Sequence, residues 1–164
     1  MQGASPILIA YDGSEPARAA VREAGALFAP ASALVLTVWE PALSQVMLTP
    51  DPIGMGGTML PYDPALARDI ERANEEHAQQ VAEDGARLAR EAGLDAEALT
   101  AENDLAPHDA IVAAAEEHDA RAIVIGSRGL RGLKSKLLGS TSAHVLHHAL
   151  RPVVVVRHHD DHSA

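Results

Sequence analysis

The chain has 164 residues, nearly half of them apolar, and a formal net charge of −10 from 13 basic and 23 acidic residues. That length suits one domain, and the prevalence of Ala, Val and Leu with few aromatics suits small residues packed between helices and a sheet rather than a disordered chain. The charge argues against general nucleic-acid binding, which needs Lys and Arg to neutralise phosphates, and the lack of cysteine excludes disulfides, thiolate metal sites and cysteine nucleophiles.

Pro6 to Tyr11 (PILIAY) is a short apolar run ended by Asp12-Gly13-Ser14, the pattern of a buried strand entering a turn. Ser14 is placed to cap a helix over Glu15 to Phe28, with Pro16 in its first turn and an apolar stripe at Ala17, Ala20, Val21, Ala24 and Leu27 or Phe28. Ala33 to Trp39 reads as a second buried strand, stopped by Glu40-Pro41. Between Pro41 and Pro64 stand five prolines, three glycines and three methionines, so a long variable loop is expected over 41–64. Ala65 to Ala92 is rich in Ala, Glu and Arg and ends at Gly93, which predicts a long, largely solvated amphipathic helix.

Asp95 to Glu102 alternates weakly as a third strand, and Pro107 opens a helix over His108 to Glu117. Ala122 to Ile125 is a fourth buried strand, Ser140 to Leu150 a helix, and Pro152 to Arg157 a last strand. The order βαβαβαβαβ predicts an α/β domain over 1–157, a single doubly wound, Rossmann-like five-stranded parallel sheet flanked by helices, with a disordered tail at 158–164. No apolar run approaches the roughly 18 to 20 residues that span a bilayer, and the opening MQGASPILIAYDGSE lacks the pattern of a secretory signal. A cytoplasmic protein with no membrane partner is the expectation.

In an open parallel sheet the ligand crevice lies beyond the carboxyl ends of the strands. Two loops reach that edge, Asp12-Gly13-Ser14 and the segment Gly126 to Ser142. The second holds Arg128, Arg131, Lys134 and Lys136 within nine positions, and Gly139-Ser140-Thr141-Ser142 at a helix start. A helix N-terminus with unpaired N–H groups and hydroxyls attracts phosphate. It is not a Walker A loop, because Gly132-Leu133-Lys134-Ser135 separates glycine from lysine, and no G-x-G-x-x-G dinucleotide pattern follows either strand.

The spacing Gly126-x2-Gly129-x9-Gly139-Ser140, together with ILIAYDGSEPARAAV and AIVIGSRG, resembles the nucleotide-binding signature of the universal stress protein family over essentially the whole chain. The resemblance implies an adenine nucleotide alpha hydrolase-like fold, a homodimer paired through the last strand (Val153 to Arg157), and ATP with Mg²⁺ as the ligand. It places Asp12 by the adenosine and the backbone of Val38 at adenine. Gly126, Gly129, Gly139 and Ser140 would surround ribose and phosphates, with Arg128, Thr141 and Ser142 nearby.

Other readings stay open at this point. Asp12 can equally serve its own turn. His144, His147 and His148 are spaced i, i+3, i+4 on a helix, but no carboxylate there completes a metal site, and they are expected to face solvent or a partner. Asp12 and Ser140 are suited to assist Mg²⁺, yet no dedicated acid or arginine finger is visible, so no catalytic residue is assigned and slow hydrolysis is the most expected. A weak ATPase or nucleotidyl-transfer enzyme, and a module for AMP or a cyclic nucleotide, are the alternatives.

Overall fold

A computed structural model of the chain describes residues 5–41, 64–103, 106–128 and 138–157. The strands are β1 (Ile7–Ala10), β2 (Ser32–Trp39), β3 (Asp95–Glu102), β4 (Ala122–Gly126) and β5 (Val153–Val156). The helices are α1 (Glu15–Phe28), α2 (Pro64–Glu91), α3 (Pro107–Glu117) and α4 (Ser140–His148). Apart from its end prolines, the expected loop 41–64 lies outside the described residues, as does the expected tail 158–164.

All five strands are parallel, in the order β3-β2-β1-β4-β5. β1 is therefore central, and its Ile7, Leu8 and Ile9 are completely buried because both faces are covered. Ile7, Ile9, Val35 and Val124 point to the face under α1 and α2, whereas Leu8, Leu36, Ile123 and Ile125 point to the face under α3 and α4. The helices meet this sheet with small side chains. α1 buries Ala17, Ala20 and Ala24, and α2 buries Ala78, Ala82, Ala86 and Ala89, which lets backbones approach closely.

The helices begin and end as local chemistry directs. Ser14 caps α1 by accepting from the Ala17 N–H, and Glu15 and Pro16 occupy its first turn. α2 stops before Gly93, which takes φ +89°. α4 is two residues shorter than its apolar pattern suggests: Pro152 bars Arg151 from helical geometry, and the chain is already extended at Ala149 on its way into β5. Gly126, expected in a loop, instead ends β4 in register with Val156.

Candidate functional site

The strand order reverses between β1 and β4, so the loops leaving these two strands diverge to opposite sides of the sheet and leave a crevice at their carboxyl ends. On the β1 side, the Tyr11 N–H donates to Leu36 O at 2.8 Å, and Thr37 Oγ1 donates to Tyr11 O at 2.9 Å, tying the strand end to β2. The Ser14 N–H donates to Asp12 Oδ1 at 3.0 Å across Gly13, whose φ of +80° makes the tight turn possible. Asp12 thus stabilises its own turn while standing at the crevice.

On the β4 side, the Ser127 N–H donates to Val156 O and the Gly139 N–H donates to Ser127 O, both at 2.8 Å. Ser142 is buried, and its Oγ donates to Gly126 O at 2.7 Å. These two bonds fasten the first turn of α4 to the end of β4. The Ala143 N–H donates to Gly139 O at 2.9 Å, and among the described residues no earlier N–H of α4 has a helical carbonyl one turn back. Ser140 is exposed and Thr141 half-buried, so their hydroxyls lie at the surface of the same turn.

Gly126 has a different reason for being glycine than turn geometry. Among the described glycines only Gly13 and Gly93 take positive φ. A Cβ at 126 would lie 2.8 Å from Pro16 O and 2.9 Å from Pro16 C, closer than real contacts permit. The start of α1 packs directly on this residue. Two helix N-termini, those of α1 and α4, therefore converge on Gly126 and Ser127, and their dipoles add positive potential there.

The structure accordingly brings Asp12, Val38, Gly126, Arg128, Gly139, Ser140, Thr141 and Ser142 to one edge of the sheet. Gly129, Arg131, Lys134 and Lys136 lie outside the described residues. Ser142 differs from its two neighbours in that its hydroxyl is buried and holds the helix to the strand.

Sequence reasoning missed three residues here. Thr37 bridges β1 and β2. Tyr11 is buried, and its hydroxyl has no hydrogen-bond partner among the described residues. Burial raises the Tyr11 pKa above 10.0, opposed by the nearby Arg18 and reinforced by Asp84 and Asp12. Asn103, just past β3, is buried, and its Oδ1 likewise has no partner among the described residues. The only available signal was a polar residue at the end of an apolar strand.

The helical histidines are not simply solvated. His144 and His148 are exposed, but both rings lie against His108 of α3, with centroids 4.4 Å from His144 and 6.1 Å from His148. Their Nδ1 atoms meet the carbonyls of Ser140 and His144, at 2.7 and 2.9 Å. Among the described residues no group of three or more His, Cys, Asp and Glu is placed to hold a metal ion. Among them, too, no helix is long and apolar enough to cross a membrane.

Comparison with known proteins agrees with this geometry. Residues 4–157 match the universal stress protein family. A universal stress protein from Thermus aquaticus is 37% identical over 153 residues, which span 92% of this chain and 97% of that protein. Among solved structures, the hypothetical protein MJ0577 superposes with a TM-score of 0.73 at 23% identity, covering 96% of this chain and 98% of its own. The Archaeoglobus fulgidus universal stress protein in complex with dAMP superposes with a TM-score of 0.59 at 23% identity, covering 93% and 97%. A universal stress protein in complex with cAMP gives 0.61 at 23% identity, covering 95% and 98%. From its first strand to its last, the chain belongs to the universal stress protein family.

Proposed function

We propose that this chain is a cytoplasmic stress-response module that binds ATP with Mg²⁺ at the carboxyl edge of its sheet and hydrolyses it slowly or not at all. The observation that carries the reading is the fastening of the α4 first turn to β4, through Gly139 N to Ser127 O and Ser142 Oγ to Gly126 O, beside the Asp12 turn. In this reading the N–H groups and hydroxyls of Ser140 and Thr141 take the phosphates, with Arg128 and Gly129 alongside. Asp12 meets the ribose, and the Val38 backbone meets the base.

The hard oxygens of Asp12 and Ser140 are the chain's own groups suited to a phosphate-bound Mg²⁺. The reading is one of binding rather than turnover because, among the described residues, the loops leaving β1 and β4 at the carboxyl edge supply donors and one carboxylate, Asp12, whose Oδ1 accepts from Ser14. The relatives solved with dAMP and cAMP support an adenine nucleotide. They also favour the second reading, in which a monophosphate or cyclic nucleotide is the ligand.

A homodimer completes the proposal. β5 is an edge strand. Its carbonyls at Pro152 and Val156 accept from β4, so Val153 and Val155 turn their backbone groups outward, where a second β5 can pair.

Calorimetric titration of nucleotide-depleted protein with ATP, AMP and cAMP, with and without Mg²⁺, tests the function. ATP is expected to bind most tightly, with Mg²⁺ strengthening it. No heat at millimolar ATP with Mg²⁺ would defeat the proposal, and preference for AMP or cAMP would establish the second reading.

A further inference from the structure

We infer that Asn103 reads the 6-position of the purine base. The inference rests on the nucleotide-binding reading and adds to it a residue that decides which base is accepted.

Asn103 is 6% exposed, and its Oδ1 accepts no hydrogen bond from the described residues. Buried polar atoms without partners are rare and unfavourable, so one at a ligand edge marks a group awaiting a donor. Its position is defined by the ladder. The Asn103 N–H donates to Trp39 O at 2.8 Å, so β3 pairing with β2 continues through this residue and side-chain alternation is kept. Leu99 and Ala101 pack on the α3–α4 face, and Asn103 is the next residue of that parity.

Asp12 and Val38 share that face. Ala10 of β1 and Leu36 and Val38 of β2 belong to the same cluster, and Asp12 follows Ala10 by one alternation. The register aligns Ala10 with Leu36, Leu36 with Leu99, and Val38 with Ala101. Asp12, Val38 and Asn103 thus lie on one face of three adjacent strands at their carboxyl ends. Strands lie about 4.8 Å apart, so Asp12 and Asn103 stand on strands separated by about 10 Å, a span an adenosine can bridge. With the ribose at Asp12 and the base over Val38, the exocyclic 6-position reaches toward Asn103. Tyr11 has a hydroxyl that likewise lacks a partner among the described residues, but it packs in the opposite cluster, toward α1 and α2, so it is not a second candidate.

A carboxamide complements adenine by accepting from the 6-amino group through Oδ1. It can also turn over and donate through Nδ2 to a 6-oxo group. Asn103 is therefore expected to tolerate inosine and to reject a purine with nothing at position 6, which leaves the amide without a partner. On the full chain, wild type should bind ATP about ten-fold more tightly than the triphosphate of 6-unsubstituted purine riboside, the effect of one hydrogen bond to a buried acceptor.

In Asn103→Val that ratio should collapse to about one. In Asn103→Asp, which offers acceptors only, ATP should keep its advantage over the unsubstituted analogue, while inosine triphosphate should weaken about ten-fold relative to ATP. An unchanged ATP-to-analogue ratio in Asn103→Val, or no added loss of inosine triphosphate in Asn103→Asp, overturns the assignment while leaving nucleotide binding intact. Failure of the wild type to bind any of the three triphosphates overturns the underlying reading instead.

Discussion

Replacing Gly126 by alanine tests whether the first glycine of the signature serves the ligand or the fold. The added Cβ would sit 2.8 Å from Pro16 O, 2.9 Å from Pro16 C and 3.3 Å from Ala17 N. All three are main-chain atoms, so no side chain can swing away. Restoring an ordinary contact requires the start of α1 to retreat by about half an ångström. That helix is held by the Ser14 cap and by Ala17, Ala20 and Val21, all buried against the sheet.

Overpacking of this kind costs about 1–3 kcal/mol. For a chain of this size it corresponds to a fall in Tm of about 3–10 °C, readable by scanning calorimetry. Because Pro16 follows the Asp12–Ser14 turn, the same retreat displaces one wall of the crevice, and ATP affinity should weaken in parallel. A variant that melts within about 1 °C of wild type yet fails to bind ATP would refute the reasoning, because Gly126 would then face the ligand rather than the helix.

Ser142→Ala removes the donor from the buried Gly126 carbonyl and should cost about 1–3 kcal/mol, whereas Ser140→Ala, at an exposed position, should leave Tm unchanged and weaken ATP binding alone. Calorimetry and titration on the pair separate the two roles. Tyr11→Phe should be neutral or slightly stabilising at pH 7, because the lost hydroxyl has no partner among the described residues. The raised pKa sets the sign of its pH dependence. Above pH 10.0 the unfolded chain releases the phenolic proton before the folded one does, so wild type loses stability as pH rises toward the folded pKa, and urea melts of Tyr11→Phe should show a smaller loss. Val155→Pro removes an outward N–H without touching the β4 ladder, so light scattering should find a folded monomer, and a persistent dimer would place the subunit contact elsewhere.

The strands were legible because burial on both faces requires unbroken apolar runs, and PILIAY, ALVLTVW, AIVI and PVVVV carry that requirement openly. Asp95 to Glu102 was legible only weakly, since β3 lies at the sheet edge and only Ala96 of its residues is buried. The turn and the helix start at the sheet's carboxyl edge were also foreseeable: Asp12-Gly13-Ser14 and Gly139-Ser140 are local signals for them. What could not be read were relations between residues distant in sequence. Nothing local to Gly126 announces that Pro16 will press on it, and nothing local to Ser142 says that its hydroxyl will point inward to a carbonyl 16 residues earlier. His108 stacking on His144 is of the same kind, as is Asn103 continuing a ladder begun at Ser32 and Asp95.

The convergence of two helix N-termini on Gly126 and Ser127 has a kinetic consequence. The attraction they exert on an anion is local, reaching little beyond the roughly 8 Å over which charges are felt at physiological ionic strength. At longer range an approaching nucleotide meets a chain of net charge −10, which repels it. Association should therefore be slow in dilute buffer and accelerate as salt screens the approach, opposite to the behaviour of sites that steer their ligands. If the proposed nucleotide binding holds, capture would depend on rare close encounters and retention on the two helix ends.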